Sequence, residues 1–251
     1  MEVKFDGDFH YADVGEGKPV VLLHGLFGAL SNWTGLIEGF RHRYRLILPL
    51  LPIYDTKSSV PPTVEGLADF VAEFMNRLRL GPCAIVGNSL GGHVALVLAL
   101  SSPQMVKALV LTGSSGLFEA GLGSSFPKIN NYEYVRERVG YTFYDPATAS
   151  PELVDEVFSV VNDRNKALRI IKIARAAQKT NMRDKLANVR CPVLLIWGLN
   201  DTITPAYVAH EFFTFLPRAE LRFIDRCGHA AMMERPDVFN QKLAPFLEKY
   251  A

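Results

Sequence analysis

Three residues of this chain have the types and the order needed to activate a hydroxyl group: Ser89, Asp201 and His229. Ser89 is the centre of Gly87-Asn88-Ser89-Leu90-Gly91, a G-x-S-x-G set between the apolar run Cys83 to Val86 and an Ala- and Leu-rich stretch after Leu90. The first run has strand character and the second has helical spacing, so the serine falls at a sharp strand-to-helix corner. Such a corner strains the serine backbone, lifts the hydroxyl clear of the sheet and aims the unpaired N–H groups of the helix start at it. An oxyanion formed beside Ser89 would be stabilised there.

Asp201 follows the apolar run Val193 to Trp197 by way of Gly198-Leu199-Asn200, which places a carboxylate at the C-terminal end of a buried strand. That edge is where open α/β sheets hold ligands. The run Leu221 to Ile224 then leads through Asp225-Arg226-Cys227-Gly228 to His229. A serine hydroxyl is a poor nucleophile at neutral pH, so His229 would take its proton, and Asp201 would fix the histidine tautomer and stabilise the imidazolium. Asp225 competes for the role of acid, and the longer strand ahead of Asp201 favours Asp201. His24 is expected to be structural, its ring buried beneath the loop it opens, and His93 to pack on the helix after the serine. No cluster of His, Cys, Asp and Glu has metal-ligand spacing, and neither a metal nor a cofactor is called for.

These residues need a scaffold, and the chain supplies alternating elements. Phe9 to Val14 and Val20 to Leu23 read as strands, followed by the glycine-punctuated loop His24-Gly25-Leu26-Phe27-Gly28. Tyr44 to Leu48 is a further strand, Thr63 to Leu80 an amphipathic helix, and Ala108 to Thr112 the strand after the serine helix. Strands separated by helix-length segments imply right-handed crossovers in a mostly parallel sheet. The rhythm breaks at Gly113, and from there to Cys191 the periodicity is helical, with Ser150-Pro151 a helix start and Asn165 to Ala177 a second helix. The expected organisation is an α/β core over residues 1–115 and 188–251, interrupted by a helical insertion over 116–187.

The length of 251 residues and a hydrophobic fraction of 49% suffice for a sizeable core, and a formal net charge of +1 leaves no electrostatic footprint for nucleic acid or an anionic membrane. Without a basic, then apolar, leader or a membrane-length apolar run, the expected location is the cytoplasm and the expected partner a small-molecule substrate, with the protein a monomer or homodimer. Three cysteines without Cys-x-x-Cys spacing argue against a disulfide framework and a zinc site.

Over nearly its whole length the chain resembles the α/β-hydrolase superfamily. The resemblance rests on the His24-Gly25 loop, the Ser89 elbow, the Gly198-Leu199-Asn200-Asp201 turn and Gly228-His229, in that order. It implies a central sheet of about eight strands, an oxyanion hole made by the backbone N–H groups of Leu26 and Leu90, and a helical insertion that acts as a lid. A serine at the elbow implies hydrolysis of a carboxylic ester or related acyl bond through an acyl-enzyme. The pattern Gly-Asn-Ser-x-Gly-Gly is also similar to the meta-cleavage-product hydrolases, which cut carbon-carbon bonds; on that resemblance Asn88 would touch substrate and Arg164 would bind a carboxylate. A third possibility is a low-turnover ligand receptor on the same fold. Phe27, Phe126, Phe143 and Met232 are the apolar candidates for the substrate pocket. Pro49 to Asp55 replaces the turn that relatives usually carry after the strand ending near Leu48.

Overall fold

The computed structural model describes residues 1–120 and 130–251. Among them, eight strands form one sheet: β1 (Lys4–Asp6), β2 (Phe9–Val14), β3 (Lys18–Leu23), β4 (Tyr44–Pro49), β5 (Cys83–Asn88), β6 (Val106–Thr112), β7 (Val193–Gly198) and β8 (Ala219–Ile224). Their spatial order is β1-β2-β4-β3-β5-β6-β7-β8; the β1–β2 and β2–β4 pairs are antiparallel and the remaining pairs are parallel. The central strands are apolar without a break because both of their faces are covered. Along β5, Cys83 and Ile85 face one layer while Ala84 and Val86 face the other, and β6 and β7 alternate in the same way.

The first layer contains α2 (Val64–Arg77), α3 (Leu90–Ser101) and α7 (Ala206–Phe215); the second contains α1 (Thr34–Phe40), the short α8 (Ala231–Glu234) and α9 (Pro236–Tyr250). Thr63 caps α2 by accepting from the Gly66 N–H at 3.0 Å. Between β6 and β7 the chain forms α4 (Tyr132–Gly140), α5 (Pro151–Asn162) and α6 (Arg164–Lys179). The expected start of α5 is present: Ser150 accepts from the Leu153 N–H at 3.3 Å, with Pro151 as first helical residue. Val135, Val139, Val154, Val157 and Val161 make a separate small core between α4 and α5. No helix among the described residues is long and apolar enough to cross a membrane.

Two features differ from expectation. β1 has no counterpart in the sequence pattern, because three residues on an exposed edge give no readable alternation; it is held by pairing with β2 across Gly7, at φ 61°. α6 begins at Arg164, because the Asp163 carboxylate caps it by accepting from the Asn165 and Lys166 N–H groups at 2.9 and 3.1 Å.

Candidate active site

Ser89 joins β5 to α3 with φ 52° and ψ −119°, a conformation that costs an ordinary residue about 1–3 kcal/mol. Backbone hydrogen bonds hold it there. Its N–H donates to Thr112 O at 3.1 Å, and its carbonyl accepts from Gly92, His93 and Ser115 at 3.0–3.2 Å. Gly91 permits the tight crossing, since a Cβ there would collide with the carbonyl oxygens of Leu23 and His24. Although Ser89 is the N-cap residue of α3, its side chain makes no capping hydrogen bond, so the hydroxyl is not committed to the helix.

Asp201 and His229 meet where the segments after β7 and β8 come together. His229 Nδ1 lies 2.9 Å from Asp201 Oδ2, and both side chains are buried. The other carboxylate oxygen accepts from the N–H groups of Ile203 and Thr204 at 2.8 and 2.9 Å, while Thr204 Oγ1 donates to Oδ2 at 2.8 Å. Trp197 in turn fixes that turn by donating Nε1–H to Thr204 O at 2.7 Å. Burial alone would lower the pKa of the His229 imidazole, but the charge and hydrogen bond of Asp201, helped by Glu119, outweigh burial and hold it above the ordinary value. Gly113, at φ 51°, leaves room for the ring: a Cβ there would lie 2.7 Å from His229 O and 2.8 Å from its Nδ1. Asp225, the competing acid, is exposed and accepts from the neighbouring Arg226 N–H at 2.9 Å.

The loop after β3 forms the opposite wall. His24 is structural, as expected: Nδ1–H donates to Gly25 O at 2.9 Å and Nε2 accepts from the Leu51 N–H at 3.0 Å, and burial keeps the ring neutral by lowering its pKa. Tyr54 adds a second tie, its hydroxyl donating to Leu26 O at 2.9 Å. The unusual Pro49 to Asp55 segment therefore braces the loop that carries Leu26 and Phe27.

One cavity brings together Ser89, His229, Leu26, Phe27, Asn88 and Phe143. Asn88 lines it, yet its Nδ2 donates to Thr112 O and His229 O at 3.0 and 3.3 Å, which ties the elbow to the histidine loop. Leu90 packs its side chain into the core at the head of α3, so only its backbone concerns the site. Arg164 stands exposed at the start of α6, away from the cavity wall. Met232 is turned into the core beneath α8, and Met233 lines the cavity instead; one residue along a helix rotates a side chain by about 100°. Phe126 lies outside the described residues. Thr204, Tyr54, Glu119 and Arg138 are additions that sequence motifs did not mark; the last two also line the cavity.

The sequence profile described as "Alpha/beta hydrolase family" matches residues 20–242. A hydrolase of Paraburkholderia phymatum named for 2-hydroxy-6-oxononadienedioate and 2-hydroxy-6-oxononatrienedioate is 30% identical, the match covering 95% of this chain and 90% of the relative. Among solved structures, MGS-MChE2, an alpha/beta hydrolase enzyme from the metagenome of sediments of the Mar Chica lagoon in Morocco, is 38% identical with a TM-score of 0.80, covering 99% of both chains. The meta-cleavage product hydrolase CumD of Pseudomonas fluorescens is 25% identical with a TM-score of 0.85, covering 96% of this chain and 94% of its own. With the fold, the elbow and a match across most of its length, this chain belongs to the alpha/beta hydrolase family.

Proposed function

We propose that the chain is a serine hydrolase that cleaves a carboxylic ester, or a related acyl bond, in a small and largely apolar substrate. The observation that carries this reading is the 2.9 Å contact between His229 Nδ1 and Asp201 Oδ2 beside a serine held in a strained elbow on the same cavity. In the reading, His229 Nε2 takes the Ser89 proton as Oγ attacks the acyl carbon. The N–H groups of Leu26 and Leu90 receive the negative charge that develops on the carbonyl oxygen. His229 then passes its proton to the leaving alcohol, and a water activated by the same ring releases the acid and restores the serine. Helices α4 and α5, which supply Val135, Val139, Leu153 and Val157 to the cavity, serve as its lid and give it an apolar wall.

The test is hydrolysis of a graded series of p-nitrophenyl esters. Turnover by the native chain and its loss in Ser89→Ala support the reading; retained turnover in that variant refutes it. A second reading, cleavage of a carbon-carbon bond in a dienoic diketone, draws on the names of the relatives and on Arg138, a cation on the cavity wall. It predicts loss of the coloured dienoate, with esters cleaved poorly or not at all.

A further inference from the structure

The loop leaving β6 delivers a carboxyl group that none of the hydrolytic steps uses. Glu119 lines the cavity with Ser89 and His229, and its carboxyl makes no hydrogen bond or ion pair among the described residues. Its backbone is fastened on both sides. Ser115 N–H donates to Ser89 O at 3.2 Å, Met182 N–H to Gly116 O at 2.7 Å, and Ala120 N–H to Ile203 O at 2.7 Å, beside the turn that holds Asp201. The Phe118 ring rests on Tyr207 at 5.8 Å. Glu119 is thus presented to the cavity by a braced loop.

We propose that Glu119 sets the charge class of the substrate, accepting neutral acyl compounds that bring a hydrogen-bond donor to it and turning away those that place a carboxylate there. The inference rests on the serine-hydrolase reading of the same cavity and narrows it. Two carboxylates confined in an apolar cavity repel one another, and neither can shed its charge without taking up a proton. Glu119 already feels this: burial raises its pKa, His229 opposes the rise and the Asp201 charge adds to it. A hydroxyl or amide N–H instead gives the carboxyl the partner it lacks. Arg138 is the countercharge on the wall, but it comes from α4 and its guanidinium lies 5.5 Å from the centre of the Tyr141 ring. An anion drawn to Arg138 would still share the cavity with Glu119.

The experiment compares methyl glutaramate with monomethyl glutarate, which differ only by a terminal carboxamide in place of a carboxylate, in the native chain and in Glu119→Gln. The native chain should prefer the neutral ester, and Glu119→Gln should shrink the ratio of the two kcat/KM values by about tenfold or more, since like charges held together are strongly disfavoured. An unchanged ratio overturns the proposal. If the native chain cleaves neither ester, the hydrolase reading fails separately, and calorimetric binding decides Glu119. In Ser89→Ala protein, adding Glu119→Gln should tighten pentanoate relative to pentanamide by about tenfold. Equal relative affinities with and without Glu119 overturn it.

Discussion

At the scale of single residues, the protonation state of His229 decides whether Ser89 can be activated. The imidazole must be neutral to receive the serine proton, and Asp201 with Glu119 keeps its pKa above the ordinary value despite burial. The acid limb of kcat/KM should therefore be displaced upward from the ordinary histidine value: activity is present above the raised pKa and is lost as the pH falls through it. Asp201→Asn removes the charge and the favourable tautomer, so kcat should fall by about 10³- to 10⁴-fold. The limb of the residual activity should move to lower pH, because burial then acts with less opposition. A pH-rate profile of both proteins checks both expectations. The approach of Asp201 to His229 and the sharing of one cavity by Ser89 and His229 could be anticipated because each residue follows an apolar run, whose end the fold brings to the same sheet edge. Thr204, Tyr54 and Glu119 lie in no motif: Thr204 serves Asp201 from three residues away, Tyr54 reaches Leu26 O from a distant segment, and only folding brings Glu119 to the cavity.

Among the elements, the turns after the strands do the positioning. Gly113→Ala would force a side chain into positive φ, costing about 1 kcal/mol, and would press a methyl group against His229. Its melting temperature should drop, and kcat should fall by at least about tenfold, since small displacements of a reacting group are costly. Full activity in a stably folded Gly113→Ala protein would show that the ring does not need that space. Tyr54→Phe removes the hydroxyl that braces the Leu26 carbonyl. The expected result is a loss in kcat of about tenfold with KM little changed, as for an interaction felt mainly in the transition state; a rise in KM alone would assign Tyr54 to ground-state binding. The same scale shows why some pocket residues were misplaced from sequence. The four-residue α8 is too short to be read from pattern, and its rotation puts Met233 rather than Met232 on the cavity. Arg164, in turn, is the first residue of α6 and exposed, with Asp163 capping the helix beside it.

Across the whole molecule, the alternation of strands and helices was enough to read a mostly parallel sheet, because β5, β6 and β7 are apolar on both faces and are separated by helix-forming segments. The edge strand β1 and helix α4 carry too little periodicity to be read alone: β1 spans three residues, and only a few positions of α4 are buried. The architecture converges on one cavity that receives the loops after β3, β5 and β6 together with α4 and α5 from the segment between β6 and β7. Hydrolysis by this chain requires that the convergence activate Ser89. The most direct measurement is reaction with a fluorophosphonate followed by peptide mass spectrometry. A single adduct on Ser89, absent from Ser89→Ala and strongly slowed in His229→Ala, is the predicted result. An adduct on another residue, or no adduct on folded protein, would contradict it.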